Sequence, residues 1–566
     1  MNKVLFLFLR RMRLPLLVLT GAYSIAVTGF VLIPGVDDQG NPWGMDFFHA
    51  FYFVSYMATT IGFGEVPYAF TDAQRMWTTA TIYLSVVAWL YAIGKTLALV
   101  QDPAFRLAVS QHGFDRSMRR LGRPFFIMCG YGDTGALLVR SLLRRNRFAV
   151  VIDRDPERIN ELILEDYHTH VPGLCADASV SARLLEAGLL SHLCQGVVAL
   201  TDHDEANLKI AITAKLLNAE LPVICRAERP ETEQNMASFG TDHVINPYRI
   251  FSERLGLALR SPAHHLLHQW LSSIPGSHLP MPVEAPAGRW IICGYGRFGK
   301  AVHATLEAQG VETTIVEVDP EGTGCPAGCI RGRGTEADTL REAGIEDASA
   351  IVAGTSRDVN NLSILMTARE LNSELFTVGR QNREDNTLLF VAADLGLVMR
   401  HDQIIAEAVL SQLTSPLVPL FLSLGRDRDE GWANEMVSRI TAVVGERVPA
   451  AWSVTLDGDN APALLERLSR SPVTLGELLK ARHPVHERRS CMVLLLQRED
   501  GADTLLAPED HEPLHAGDRI LFCGQFHNAA SIEHALREPH ALEFLLTGRD
   551  RPEGWVWRML ARRGGS

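Results

Sequence analysis

The chain has 566 residues, enough for roughly four domains, and a formal net charge of −12, which argues against nucleic acid as a partner. Its nine cysteines are odd in number, scattered and mostly set in apolar runs such as Ile127-Met128-Cys129 and Ile291-Ile292-Cys293. That is the usage of a reducing cytoplasm, not of a disulfide-stapled secreted protein. Cys325 and Cys329 are the one close pair, and they lack the neighbouring histidine or further cysteine that a zinc site would need.

Leu14 to Ile33 is an apolar run of the length that crosses a bilayer. Lys3, Arg10, Arg11 and Arg13 precede it, so the N-terminus is expected in the cytoplasm. The run is too long for a secretory signal and has no small-residue cleavage site. Gly35 to Gly44 reads as a short outer loop, and Met45 to Thr59 as a short amphipathic helix that leads into Thr60-Ile61-Gly62-Phe63-Gly64-Glu65. A second apolar span follows from about Arg75 to Val100, opening with Met76-Trp77 and closing near Lys95. Two spans around one re-entrant segment put both termini on the cytoplasmic face of the bilayer. Neither span carries the repeated arginines of a voltage sensor.

Glycines in the pattern T-x-G-aromatic-G tolerate dihedral angles that other residues resist. Every carbonyl can then turn toward one axis. Four copies around that axis would stack oxygen rings from Thr60, Ile61, Gly62 and Phe63, which replace the hydration shell of a potassium ion. Thr60–Gly64 resembles the potassium-channel filter signature T-V-G-Y-G-D, with Ile61, Phe63 and Glu65 as departures. The resemblance implies a tetramer in the plasma (inner) membrane with potassium in the filter. It also implies that the second span lines the inner cavity. The hinge glycine of related channels falls near Ser85 here; Ala88 and Gly94 are small alternatives, and Gly94 and Leu97 are the candidate gate, with Val100 nearby. Leu97 either forms a water-excluding ring or packs on the first span. Residues 101–123 form a basic connector (Arg106, Arg116, Arg119, Arg120, Arg123) suited to anionic headgroups. Met118 is a candidate start for a shorter product.

The remaining chain repeats itself. Phe125-Phe126-Ile127-Met128-Cys129-Gly130-Tyr131-Gly132-Asp133-Thr134-Gly135 is answered by Trp290-Ile291-Ile292-Cys293-Gly294-Tyr295-Gly296-Arg297-Phe298-Gly299. Each is a strand, G-x-G-x-x-G and the start of a helix. About twenty residues on, each reaches a second strand with an acid at its end, Asp153 (then Arg154) and Glu317. The glycines let backbone N–H groups approach a pyrophosphate at a helix N-terminus. The acid accepts from both hydroxyls of an unmodified ribose, which favours NAD or NADH, ADP or ATP over a 2′-phosphorylated cofactor.

This pattern resembles the RCK (KTN, TrkA-N) domains that regulate potassium channels and transporters. The resemblance implies further ligand contacts from a G-D-A-like turn, a threonine and an arginine. In the first copy these are Asp177 and Ala178, Thr201 and Arg226. In the second, Arg333 stands in place of the acid while Thr355 and Arg380 persist, so the second site is expected to differ or to be silent. The acidic calcium site of some relatives is incomplete: the stretch Arg226-Ala227-Glu228 offers one acid, and Leu200 stands where another carboxylate belongs. Asp202, Asp204 and Glu205 remain an alternative place for calcium or a solvated face.

Each copy is followed by a helix pair broken at Ser-Pro, Asn246 to Leu271 at Ser261-Pro262 and Asp402 to Leu424 at Ser415-Pro416. The resemblance makes these crossovers by which paired modules clasp. His264, His265 and His268 lie there and read as packing or solvent-facing groups. Pro275, Pro280, Pro282 and Pro286 mark the boundary between copies. The expected fold is multidomain: an α-helical two-span pore (residues 1–100), a linker (101–123), two Rossmann-like α/β RCK modules (124–286 and 287–428), a small α+β C-lobe (429–530) and a helical tail (531–566) ending in Gly554-Trp555-Val556-Trp557. As a whole the chain resembles prokaryotic two-transmembrane potassium channels with tandem RCK domains. The implied assembly is a homotetramer whose modules, two from each of four subunits, form a gating ring of eight that responds to nucleotide. A membrane-anchored NAD-dependent oxidoreductase and a regulatory subunit of a potassium transporter are the rival readings. The first needs a general acid or base facing the nicotinamide, whereas His264, His265 and His268 lie in the crossover and not at a strand end, and the second would not carry a filter.

Overall fold

A computed structural model of the protein describes residues 3–273, 275, 283–479, 490–499, 501 and 503–547. Pro280, Pro282 and Gly554-Trp555-Val556-Trp557 lie outside the described residues. The chain divides into two compact units, Met1–Gly122 with the short segments Arg154–Ile159 and Pro172–Ala176, and the remainder.

The first unit is helical: Lys3–Leu32, Phe47–Ala58, Asp72–Gln101 and Pro103–Arg120. Phe8–Leu32 and Asp72–Gln101 are long and apolar enough to cross a membrane. They meet closely at Gly29, where an added Cβ would fall 2.1 Å from the Trp77 ring. The Trp77 Nε1 donates to the carbonyl of Ala26 at 3.1 Å. The short helix Phe47–Ala58 starts where the Asp46 carboxylate accepts from the His49 N–H at 2.8 Å. It buries Ala50, Phe53 and Val54 against Val27, Phe30 and Phe70, so the loop beyond it leaves from a fixed base. Residues 101–123, expected as a connector, are helical from Pro103 to Arg120 and end on Arg119 and Arg120.

The second unit contains two parallel sheets of the same strand order and a four-stranded antiparallel one. In the first sheet the central strands Phe125–Cys129 and Cys194–Ala199 pair with a shift of register between Phe125 and Phe126, with Phe148–Asp153 on one side and Val223–Arg226 then His243–Ile245 on the other. In the second, Trp290–Cys293 pairs with Ala350–Ala353 and with Thr313–Glu317, and Phe376–Gln381 and Leu397–Arg400 extend it. The strand order reverses beside the first strand of each module, where ligands bind in such sheets. The antiparallel sheet, Ala450–Thr455, Arg519–Gly524, Cys491–Gln497 and Thr504–Leu506, is the C-lobe. Helix Phe526–Arg537 runs through the expected boundary at 530/531, and Ile532, Leu536, Leu542 and Leu545 share the C-lobe core. The start of the expected tail is thus part of that lobe.

Both crossovers form and break at proline as expected: Pro247–Arg260 then Pro262–Ser272, and His401–Thr414 then Leu417–Gly425. The second pair is apolar enough to be mistaken for a bent span, with 109° between its helices. Its burial argues otherwise. Leu417, Val418 and Phe421 pack on Trp270 of the first crossover, Met436 and the C-lobe residues Leu494 and Leu521. Phe421→Ala is therefore predicted to lower stability by about 3–5 kcal/mol in denaturant melts. A side chain facing lipid would leave the melt unchanged.

Candidate functional site

The loop Thr60–Gly64 leaves the short helix through a Thr60 N–H to Met57 carbonyl bond of 3.1 Å and an Ile61 N–H to Tyr56 carbonyl bond of 3.0 Å. Its φ is +62° at Thr60, +66° at Gly62 and +96° at Gly64, and not positive at Ile61 or Phe63. Alternating handedness turns successive peptides the same way, the backbone device that makes an ion-binding concavity. A β-branched residue at positive φ is strained, and such strain gathers at functional sites. The loop is held at its far end, where the Tyr56 hydroxyl donates to the Gly64 carbonyl at 2.6 Å. Glu65 then pairs with Arg75 at 2.9 Å and accepts the Phe70 N–H at 2.8 Å. Tyr56 and Arg75 are holding groups that the motif alone does not reveal. The second helix stays unbroken past Ser85, which is buried with its hydroxyl on the Ile82 carbonyl at 3.1 Å. Gly94 has nothing within 4 Å of an added Cβ, and Leu97 is exposed in the single chain.

In each module the three loop glycines do different work. Gly130 and Gly294 turn at φ +105° and +97°, and a Cβ on Gly135 or Gly299 would fall 2.4 or 2.0 Å from the carbonyl oxygen of Gly130 or Gly294. Those positions serve the fold. A Cβ on Gly132 or Gly296 would meet nothing within 4 Å. These are the N-caps of helices Asp133–Arg144 and Arg297–Ala308, and neither has a side-chain cap. The middle glycine thus leaves helix-end N–H groups open to an anion, as pyrophosphate binding requires. The residues present fit a dinucleotide or ADP at the first loop.

The acids lock the loops. The Tyr131 N–H donates to Asp153 at 2.6 Å, and the Tyr295 N–H to Glu317 at 2.5 Å. The second carboxylate also accepts from the Val318 and Asp319 N–H groups, at 2.8 and 3.1 Å. Arg154 is exposed, Asp177 is exposed and accepts the Ser179 N–H at 2.9 Å, and Ala178 is buried. Arg333 is exposed in its turn, where Gly334 crosses Cys293 so closely that a Cβ would lie 2.8 Å from its Sγ.

Thr201 and Thr355 are organised by residues the motif search missed. The fully buried Asn207 accepts from the Thr201 N–H (3.0 Å) and hydroxyl (2.7 Å) and donates to the carbonyls of Thr201 (2.9 Å) and Arg226 (3.1 Å). Asn361 does the same for Thr355 and Arg380. Both asparagines stand six positions after their threonine, an offset the repeat displays.

The expected ligand arginines are engaged elsewhere. Arg226 is buried between Asp202 (3.1 Å) and Glu228. Glu228 also takes Arg297 of the second glycine loop at 2.5 Å, His401 Nε2 at 3.1 Å and the Tyr248 hydroxyl at 3.2 Å. Arg380 donates to that same hydroxyl at 3.1 Å and lies over the Tyr248 and Phe298 rings. Thr134 of the first loop donates to Asp402 at 2.6 Å. The two modules are therefore joined through a buried polar cluster that uses residues of both loops. Burial alone would raise the Glu228 pKa, but the hydrogen bond from His401 and the Arg226 charge hold it well below the usual carboxylate range. Asp402 is lowered against the same burial by His401 and Thr134. Asp204 of the calcium alternative is likewise occupied, accepting the N–H groups of Glu228 and Arg229 at 3.1 and 3.0 Å. The cleft of about 590 Å³ beside Asp202 and Glu205 is also lined by Lys209, Arg229 and Arg297.

Two outcomes follow from this geometry. Asn207→Ala unpairs buried backbone groups and is expected to lower stability by about 2–3 kcal/mol in chemical denaturation. A carboxylate with a depressed folded pKa stabilises fully above its unfolded pKa of about 4.3, and the contribution drains as pH falls toward the folded value. Glu228→Gln is thus expected to cost about 3–5 kcal/mol at pH 7 and to flatten the loss of melting temperature below about pH 4.

The family model described as "TrkA-N domain" matches residues 126–247 and 290–401, and the one described as "Ion channel" matches residues 16–102. Among curated proteins, potassium channel protein 1 of Methanocaldococcus jannaschii is 26% identical over 206 residues, which is 36% of this chain and 60% of that protein. Probable potassium channel protein 2 of the same organism is 24% identical over 217 residues, 38% of this chain and 60% of the relative. The chain thus spans about three fifths of the length of these two curated relatives. A solved structure described as the GsuK channel bound to NAD is 18% identical with a TM-score of 0.44, covering 94% of this chain and 99% of that one. With an ion-channel module ahead of two TrkA-N modules, the chain belongs to the two-span ion channels that carry tandem TrkA-N (RCK) domains.

Proposed function

We propose that the chain is one subunit of a homotetrameric, potassium-selective channel of the plasma membrane, with both termini in the cytoplasm and gating set by nucleotide. The observation that carries the pore reading is the loop Thr60–Gly64, with its alternating φ, braced at its far end by the Tyr56 hydroxyl and by the Glu65–Arg75 pair. One copy of such a loop has carbonyls but no cage, so a fourfold ring is needed to replace a hydration shell. Gly94 and Leu97 of the second span are the proposed gate.

The gating reading rests on the open cradle at Gly132. There a pyrophosphate would meet the N-terminus of helix Asp133–Arg144, with Asp153 beside the ribose. NAD, NADH, ADP and ATP share that chemistry. The loop at Gly296 is the lesser site, because Arg333 stands there in place of the acid Asp177 of the first copy. A ligand opens or closes the pore only by its difference in affinity for the two ring shapes. Moving from mostly closed to mostly open takes roughly 5.5 kcal/mol, a small amount per site when shared around a ring.

The test is potassium and sodium flux into liposomes holding the purified protein, with NAD, ADP and ATP added in turn. Potassium flux should exceed sodium flux and change with at least one nucleotide, and Asp153→Ala should weaken that response. Flux without selectivity removes the pore reading. Selective flux indifferent to every nucleotide removes the gating reading alone.

A further inference from the structure

One face of helix Lys3–Leu32 carries an open groove of about 620 Å³, lined by Leu9, Arg10, Arg13, Leu16, Leu17 and Thr20. These positions fall three and four apart and form a single stripe along the helix. The residues between the two arginines face the second span instead. Met12 is buried and its Sδ takes the Thr96 hydroxyl at 3.8 Å, while Arg11 pairs with Asp102 at 3.5 Å. Among the described residues neither Arg10 nor Arg13 has an ion-pair partner, and the helix itself contains no Asp or Glu. Leu9, Leu16 and Leu17 are exposed beside them.

Leu14 to Leu32 rises roughly 30 Å along the helix axis, the thickness of a bilayer's hydrocarbon core. With the N-terminus in the cytoplasm, that length sets Arg10 and Arg13 at the level of the inner headgroups. Arginine stems lie along apolar surface and keep their charge in the polar layer. Two guanidinium groups with no acid between them call for an anion, and phosphate matches their forked donors. A free phosphate or a nucleotide would leave Leu16 and Leu17 uncovered. A phospholipid satisfies both ends at once, its phosphate on the arginines and an acyl chain along the leucines.

We propose that this groove is a binding site for an anionic phospholipid of the cytoplasmic leaflet. The site rests on the membrane orientation proposed above, and on neither ion selectivity nor nucleotide gating. Its place gives it a consequence for the pore. The Asp102 carboxylate that pairs with Arg11 also accepts the Phe105 N–H at 3.4 Å, at the start of helix Pro103–Arg120. A lipid held by Arg10 and Arg13 therefore flanks the ion pair that ties the first span to the junction of the second span and the connector helix.

The test is native mass spectrometry of the full-length protein in detergent, titrated with phosphatidylglycerol and, separately, with phosphatidylcholine of the same acyl chains. Both lipids carry the phosphate and the chains, so a preference between them reads the net charge of the headgroup. Wild type should prefer phosphatidylglycerol, and Arg10→Gln/Arg13→Gln should weaken its binding about thirtyfold. Arg10→Lys/Arg13→Lys, which keeps the charge, should retain most of it. If the first double variant fails to insert, Arg13→Gln alone should lose about fivefold. Equal affinity of wild type for the two lipids overturns the proposal. So does an equal loss in Arg119→Gln/Arg120→Gln, which removes two charges from the far end of the connector helix and would mark a diffuse field. A smaller oligomer in Arg10→Gln/Arg13→Gln with lipid binding unchanged would assign the groove to a second copy of the chain and also overturn it. None of these readouts requires conduction, so a failure of the channel reading leaves them intact.

Discussion

A carboxylate taken out of water has to be surrounded, and in this protein Glu228 is surrounded by groups from both modules. Arg226, Tyr248, Arg297 and His401 all reach it. Leaving the buried Arg226 without the acid would strand a charge at the joint. The consequence reaches the ligand residues, because Arg297 opens the helix of the second loop and Arg226 ends a strand whose last carbonyl shares Asn207 with Thr201. Both arginines therefore meet at the same carboxylate. That is a physical route for coupling the modules, and it needs no motion beyond an exchange of partners.

The apolar part of the joint supports the polar part. Tyr248, Phe251 and Leu255 of the first crossover share a core with Phe298, Val302 and Leu306 of the helix that follows the second glycine loop. Tyr248 belongs to both sets, giving its ring to that core and its hydroxyl to Glu228 and Arg380. The second crossover returns the contact to the first loop, through Thr134 and Asp402 and through Arg145 and Thr414 at 2.6 Å. Each glycine loop thus has a crossover from the other module behind it.

Most of the architecture was legible in the residues because its signals are local. Two apolar runs, one T-x-G-F-G segment, two G-x-G-x-x-G fingerprints and two Ser-Pro breaks each act over a few neighbours, and all appear where the pattern put them. What was not legible is long-range pairing by flexible side chains. Arg226, Arg297 and Arg380 looked like ligand groups by their place after a strand or a glycine loop. Their partners are set by the docking of modules whose contacting residues, such as Glu228 and His401, lie 173 positions apart. Asn207 and Asn361 fall between these cases: a buried amide has no motif, yet its repeated offset from a threonine was visible once the two copies were laid side by side. His265 reads from sequence as packing or solvent-facing, and the structure buries it with its Nδ1 on the Arg254 carbonyl at 3.0 Å.

The most direct measurement of the joint is a double-mutant cycle between Glu228 and Arg297, with Glu228→Gln, Arg297→Gln and the pair compared in denaturant unfolding of the full chain. If the carboxylate fastens the modules, the single losses will be far from additive, with a coupling of about 1–3 kcal/mol. If the two losses simply add, the cluster is a set of independent surface contacts and the account of the joint is wrong.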